Sequence, residues 1–303
     1  MILRRLSVLA VTFLAIVTLI FGLLRLAPGG PFDGERALPP EIEANLRAAY
    51  HLDEPVPRQY LRWLGNLLEG DLGPSFSQKD FSVNDLIAEG LPVSLTIGVL
   101  ALIIALFIGV IAGTTAARHP GGMIDGLIMS VVSLGLAIPG IIAAPVAVLV
   151  FAILLQWLPA SGIGSPAHYI MPCVTAALPY AAAIARLVRG AVAESLLEPH
   201  VLTARSKGLP ELRILWRHVM PLAALPVVSY LGPLAAGLLT GTVVVETVFD
   251  LPGIGRYFVQ AALNRDYTLV MGVAVVYAGM ILIFNFLADL TYRVLDPRIR
   301  ALA

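Results

Sequence analysis

Charge is what this sequence has least of. Only 13% of its 303 residues are Asp, Glu, Lys or Arg, about half of the roughly 25% found in soluble globular domains. The mean hydropathy is +0.86. That balance excludes an ordinary soluble domain and indicates a membrane protein. There is one cysteine, Cys173, so neither an intrachain disulfide nor a cysteine-rich metal or iron–sulfur site can be built. The only lysines, Lys79 and Lys207, follow Gln78 and Ser206. The Gly-Lys-Ser/Thr step that surrounds nucleotide phosphates with amides and an ammonium is therefore missing. His51, His119, His168, His200 and His218 form no HExxH pair. Pro159-Ala-Ser161-Gly162, the nearest approach to an intramembrane serine protease elbow, lacks the leading glycine. The formal net charge of zero disfavours a generally basic nucleic-acid binder and an acidic disordered chain. No catalytic chemistry and no cofactor of the chain's own is visible, which leaves transport or scaffolding.

What the sequence does have is long apolar runs. A hydrocarbon core about 30 Å thick needs roughly 20 apolar helical residues, because lipid offers no partner to an unpaired amide. Six stretches qualify: Leu6 to Leu24, Leu91 to Ala117, Gly126 to Leu155, Tyr169 to Val188, Leu222 to Val245 and Leu269 to Tyr292. The expectation is an all-α integral membrane protein with six transmembrane helices. Arg4 and Arg5 precede the first stretch, as in a secretory signal, but it exceeds an h-region of about 7 to 15 residues and meets no clear small-x-small site. It reads as an uncleaved span.

Basic residues in the short loops set the orientation. With the N-terminus inside, that side holds Arg4, Arg5, Arg118, Arg186, Arg189, Arg205, Lys207, Arg213, Arg217, Arg293, Arg298 and Arg300, against Arg256 and Arg265 in the opposite short loops. Both termini are then expected to be cytoplasmic. On this reading the inner segments carry +7, the outer ones −6, and Asp289 in the last span the remaining −1. The neutral total hides a dipole across a bilayer.

The chain divides into a first span at 1–27, an extracytoplasmic segment at 28–90, a core of five spans at 91–295 with a long cytoplasmic loop at about 189–220, and a cytoplasmic tail at 296–303. The outer segment carries Pro39-Pro40, an amphipathic run from Glu41 to Tyr50, and Val56 to Leu68 with Tyr60, Trp63 and Leu67 on one helical face. It suits short surface helices, serving either as a cap that packs the spans or as a docking surface for an external partner.

Prolines punctuate the spans: Pro139 and Pro145 in the third, Pro172 and Pro179 in the fourth, Pro226 and Pro233 in the fifth. Each removes a donor and disturbs the helix about one turn upstream, so these spans should face protein or a watery pathway, not lipid. Gly109-x-x-x-Gly113 and Gly237-x-x-x-Gly241 would let backbones approach. Asp289 has Arg293 one turn later, the favourable helical order; lone acids at the midplane of several spans, as ion-driven carriers keep, are absent.

The loop from Arg189 to Met220 is unlike the others. Glu194 and Glu198 precede a short helix ending at Gly208, with Arg205 and Lys207 in its last turn, where positive charge suits the dipole and glycine suits the position after the cap. Pro210 and Glu211 then open a second helix. The residues alone fit either a compact cytoplasmic knob or a basic stop-transfer loop at lipid headgroups.

Thr203-Ala204-Arg205-Ser206-Lys207-Gly208-Leu209, with His218-Val219-Met220-Pro221 after it, resembles the coupling loop of ABC-importer permeases, whose pattern is Glu-Ala-Ala-x3-Gly-x9-Ile-x-Leu-Pro. Aligned on Gly208, the chain keeps Ala204, Gly208 and Pro221 and departs at Leu202, Thr203, His218 and Met220. Roles of the leading glutamate therefore do not carry over. The Thr-Ala-Arg-x-Lys-Gly-Leu form resembles the peptide branch. So do Leu26-Ala-Pro-Gly-Gly-Pro-Phe-Asp-Gly-Glu-Arg36, Tyr50-His-Leu-Asp53, Gly70-Asp-Leu-Gly-Pro-Ser75, Val245-Glu-Thr-Val-Phe249, Leu251-Pro-Gly-Ile-Gly255, Asn264-Arg-Asp-Tyr267 and Leu295-Asp-Pro-Arg-Ile299.

The resemblance covers nearly the whole chain and is closer to oligopeptide permeases than to dipeptide or nickel relatives. It implies the type I ABC-importer permease fold and a complete machine. The parts are a second homologous permease, two cytoplasmic ATPases that bind ATP and Mg, an extracytoplasmic solute-binding protein and a peptide substrate, with membrane lipid around the spans and no nucleic acid. Thr203, Ala204, Arg205, Lys207, Gly208, Leu209 and Pro221 would be the ATPase-coupling residues. Glu246, Asp250, Arg265 and Asp266 would lie at an outer mouth where both signs suit peptide termini, with Pro139 on the pathway; a solvated turn is the plainer reading of those charges. Dipeptides, murein peptides, antimicrobial peptides, glutathione or a nickel chelate are alternative cargoes, and a non-ATP membrane scaffold is the alternative of another class.

Overall fold

The structure, a computed structural model, describes residues 2–26, 51–78 and 80–295. The Leu26–Arg36 motif beyond its first residue, Pro39-Pro40, the Glu41 to Tyr50 run, Lys79, the side chain of Arg293 proposed to pair with Asp289, and the tail from 296 lie outside the described residues.

The described chain is helical: α1 (Ile2–Leu26), α2 (Val56–Leu68), α3 (Val83–Ala117), α4 (Met123–Ala137), α5 (Gly140–Ala147) running on through a π-helical turn at Val148–Leu154, α6 (Ala167–Ser195), α7 (Pro199–Ser206), α8 (Glu211–Ile214), a second π-helical turn at Leu215–Val219, α9 (Met220–Val248), α10 (Ile254–Leu263) and α11 (Tyr267–Leu295). Five helices are long and apolar enough to cross a membrane, or six if α4 and α5 with its π turn form one span.

That pair departs from the sequence expectation of one continuous third span. α4 and α5 are bent by 102°, with Ile138 extended at φ −88°, ψ 113° and Pro139 extended at φ −62°, ψ 143°. A proline ring clashes with the preceding residue in the α region and pushes it to extended geometry, so the helix stops at Ala137 and restarts at Gly140. The other prolines do not break their helices: Pro172 and Pro179 lie inside α6, Pro226 and Pro233 inside α9.

The chain forms two compact units. The first is Met1–Ser94 with Pro252–Leu282. Its core joins α1, α2 and α11: Val17, Phe21, Trp63, Met271 and Val275 are buried, with Tyr60 and Leu67 against them. This is the apolar face of α2 seen in the sequence, and it serves packing. Phe21 stacks on Trp63 at 5.7 Å and meets Tyr60 edge-on at 5.3 Å, while the Tyr60 and Thr18 hydroxyls are 2.7 Å apart. Gly272 gives the start of α3 its place, since a Cβ there would collide with Val83.

The second unit is Leu95–Leu251 with Ile283–Ala303. Its centre is α6 against α9, with α4 and α5 also on α6. α6 buries Ala176, Ala177, Ala181, Ala182 and Ala185, small side chains that let neighbours come near. Gly109 and Gly113 of α3 exploit this: an added Cβ would stand 2.7 Å from Ile184 and 2.5 Å from the Ala185 carbonyl. The other glycine pair works differently. Gly237 and Gly241 leave room for the Tyr180 ring, whose hydroxyl would be 2.9 Å from a Cβ at Gly237, so that motif accommodates an aromatic side chain and not a second backbone.

Candidate functional site

The knob between α6 and α9 is built by three short-range rules. Glu198 is extended (φ −65°, ψ 141°) and Pro199 occupies the first helical position, where its fixed φ suits a helix and its missing N–H costs nothing. α7 runs two turns and ends as Gly208 takes φ +73°, a left-handed conformation that costs an L-residue about 1–2 kcal/mol and glycine almost nothing. The Gly208 N–H donates to the Arg205 carbonyl at 3.0 Å and that of Leu209 to the Ala204 carbonyl at 3.4 Å. Pro210, extended, then opens α8 at Glu211.

Tertiary contacts fix the two helices to each other. Arg205 Nε donates to Glu211 Oε1 at 2.7 Å and Arg205 Nη2 to Glu211 Oε2 at 3.1 Å, a two-pronged fork across the glycine turn. His200 Nε2 lies 3.1 Å from the His218 carbonyl, tying α7 to the π turn. Val201, Ala204, Ile214, Leu215 and Val219 are buried beneath. Outward face Thr203, Lys207 and Gly208, together with Leu197, Leu202, Leu212 and Trp216, of which Leu197 is 77% exposed. Leu209 is partly buried, and Pro221 is exposed in the first turn of α9. The result is a basic knob that also exposes apolar side chains.

The sequence expectation placed Arg205 with the dipole of its own helix; the structure gives it Glu211 as well. The signal was an acid six residues on, across Gly-Leu-Pro. Nothing in the sequence pointed to the exposure of Leu197, Leu202, Leu212 and Trp216.

The second set is divided. Glu246, Asp250 and Pro139 belong to the second unit. Glu246, in the last turn of α9, is fully buried, Asp250 is exposed in a left-handed turn at φ 54°, and Pro139 is exposed at the α4–α5 break. Arg265 and Asp266 belong to the first unit. Arg265 is exposed at φ 56°. Asp266, 0% exposed, caps α11 and holds the loop before α3. Its Oδ2 accepts the Ser75 hydroxyl at 2.5 Å, the Ser77 hydroxyl at 2.8 Å and the Ser77 N–H at 3.0 Å. Its Oδ1 accepts the Thr268 hydroxyl at 3.0 Å and the Leu269 N–H at 3.1 Å. Burial pushes its pKa up, but the hydrogen bonds from Ser75, Ser77 and Leu269 outweigh burial and hold it below the usual carboxylate value. Among the described residues, no group of three or more His, Cys, Asp or Glu side chains could hold a metal ion.

Comparison with known proteins agrees with this architecture. Residues 105–301 match the family of binding-protein-dependent transport system inner membrane components. Over 291 residues, 95% of each chain, the sequence is 46% identical to the oligopeptide transport system permease protein OppB of Haemophilus influenzae. It is 46% identical to OppB of Salmonella typhimurium over 99% of this chain and 98% of that one. It is 40% identical to the dipeptide transport system permease protein DppB of Bacillus subtilis over 98% and 96%. Among solved structures, a chain of the inward-facing MetNI methionine ABC transporter superposes with a TM-score of 0.56 at 20% identity, covering 70% of this chain and 96% of that one. The protein belongs to the binding-protein-dependent transport system inner membrane component family.

Proposed function

We propose that this chain is a transmembrane permease subunit of an ATP-binding-cassette importer and that, with a second homologous permease, it forms the pathway by which oligopeptides enter the cell. The observation that carries the reading is the helical knob at Pro199–Val219, with an exposed basic and apolar skin, in the segment whose sequence resembles the coupling loop of ABC-importer permeases. The near-complete similarity to oligopeptide permeases supports the cargo. The chain has no P-loop of its own, so the energy comes from two cytoplasmic ATPases, and peptide arrives on an extracytoplasmic binding protein.

In this mechanism the knob sits in a groove of one ATPase, and closure of the ATPases is passed to the spans as a rigid-body switch between outward and inward openings. The Arg205–Glu211 fork and the Gly208 turn keep the two short helices from absorbing the motion. Thr203, Lys207 and Leu209 contact the ATPase, and Pro221 transfers the movement into α9. Six spans, with α4 and α5 together forming the third, both termini cytoplasmic and residues 28–90 outside agree with the twelve inner bases. Glu246, Asp250 and Arg265 are the charged residues assigned to an outer gate, with Pro139 on the pathway. Asp266, placed with them in the sequence reading, holds the Ser75–Ser77 loop to the start of α11.

The test is reconstitution with both ATPases, the second permease and the binding protein in proteoliposomes, with peptides of graded length. ATP-dependent uptake that extends beyond dipeptides is the expected outcome. Gly208→Asp, or Arg205→Ala with Lys207→Ala, should insert normally and hydrolyse ATP without uptake; normal uptake by both would refute the coupling role. Unchanged transport of several peptides by Glu246→Gln would remove the gate.

A further inference from the structure

The knob hangs from α6 without slack. Leu196, Leu197 and Glu198 donate back to the carbonyls of Val192, Glu194 and Ser195 at 3.0, 3.1 and 3.2 Å, so the chain passes from the last turn of α6 to Pro199 through bonded turns. Six residues before α6 ends at Ser195, Arg189 donates from Nε and Nη2 to the two carboxylate oxygens of Asp125 at 2.6 and 2.5 Å. Asp125 lies in the first turn of α4 and is buried. Gly121, left-handed at φ +73°, brings its N–H onto the same carboxylate at 2.9 Å. The end of α6 that carries the knob is thereby fastened to the start of α4 and to the turn before it.

Packing alone would leave α4 able to slide. Ala182 and Ala185, on the same face of α6 as Arg189, form one cluster with Ile128, Met129 and Val132 of α4, and a Cβ at Gly135 would lie 3.4 Å from that of Ala182. The contact therefore follows α4 from Asp125 to Gly135, at positions three or four apart on one helical face. Alanine and glycine bring the helices close but give the surface little relief, and packed helices move past one another by small sliding shifts. An arginine fork acts differently. Its two parallel bonds demand one orientation and one position of the carboxylate, so it fixes register where the packing fixes only separation.

We propose that Arg189 and Asp125 are positioning residues of the coupling step, which make α4 travel with α6 and the knob as one body. The knob then acts on the spans by two routes: forward through Pro221 into α9, and back through α6 and the fork into α4. The proposal rests on the importer reading and adds a moving part to it.

The test uses the reconstituted importer with spin labels at Glu194→Cys, in the last turn of α6, and Leu134→Cys, near the far end of α4. Both positions are exposed, and the chain's own Cys173 is buried. Pulsed electron paramagnetic resonance reads the label-to-label distance without nucleotide and with ATP trapped by vanadate, and peptide uptake per ATP hydrolysed is measured on the same preparations below their melting temperatures. In the chain with an intact fork the distance should be the same in both states. Asp125→Asn and Arg189→Lys should each make it differ between the states and lower uptake per ATP by about fivefold or more, the low end of couplings between linked sites. A distance that changes with nucleotide while the fork is intact overturns the proposal, because α4 then does not follow the knob. So does a distance that stays constant in both variants, whatever their uptake, since the fork is then structural only. Normal uptake per ATP in variants whose distance changes overturns it equally. Should either variant fail to assemble, Asp125→Glu, which keeps the charge but displaces the fork, is read in its place. Failure of the importer reading looks different: the complex with an intact fork then takes up no peptide, while the distance still reports whether α4 follows α6.

Discussion

Arg189 of α6 grips Asp125 of α4 with two parallel hydrogen bonds, Nε to Oδ1 at 2.6 Å and Nη2 to Oδ2 at 2.5 Å, across 64 residues of sequence. The Gly121 N–H adds a third bond to Oδ2 at 2.9 Å, and Asp125 is only 3% exposed. Bidentate geometry of this kind is specific to arginine.

Asp125→Asn and Arg189→Lys should therefore both lower the thermal midpoint of the detergent-solubilised protein, and Arg189→Lys should fail to behave as a conservative change. A double-mutant cycle with Asp125→Asn and Arg189→Gln checks this: the double variant should lose less than the two single losses added together. Simple additivity would show that the fork contributes no coupling.

Asp266 sets an acid limit. Its folded pKa is depressed by the Ser75, Ser77 and Leu269 hydrogen bonds despite burial, so its stabilisation is present above the unfolded value of about 3.9 and is lost as pH falls through the lower folded value. Asp266→Asn should flatten that acid limb of a stability-against-pH curve. Ser75→Ala should cost about 1.5–3 kcal/mol at neutral pH, as loss of a hydrogen bond to a charged group. Thermal melts between neutral and acid pH read both.

Two glycine substitutions should differ in sign. A Cβ at Gly113 would stand 2.5 Å from the Ala185 carbonyl, whereas nothing lies within 4 Å of one at Gly190. Gly113→Ala should destabilise by about 1–3 kcal/mol, because the helix backbone has to move. Gly190→Ala, in the exposed interior of α6, should stabilise by about 0.4–1 kcal/mol through the unfolded chain. Denaturation midpoints of the two variants decide it.

Arg205 and Glu211 are both about half exposed, so their fork adds little to global stability. Its part is angular, fixing α7 against α8. Glu211→Gln should leave the melting temperature unchanged while lowering peptide uptake per ATP hydrolysed in proteoliposomes. Unchanged coupling in that variant would make Glu211 dispensable.

Much of the helical outline was readable in the residues because each such feature depends on neighbours in sequence. The apolar runs became α1, α3, α6, α9 and α11; Tyr60, Trp63 and Leu67 mark the packing face of α2; Pro199, Gly208 and Pro210 delimit the knob. Capping, proline geometry and helical periodicity act over a few residues, so a single strand of sequence suffices to state them.

The sequence alone thus determined an apolar, multi-span helical chain with an asymmetric distribution of charge and a basic helix-turn-helix between two spans. Only the tertiary structure decided that Pro139 breaks its span while Pro172, Pro179, Pro226 and Pro233 are accommodated. It also decided that Gly237 and Gly241 receive Tyr180 and that Asp266 is the centre of a buried knot. Each of these depends on which distant segment fills the space beside a residue, and that is set by packing of the whole chain, to which local preference is blind.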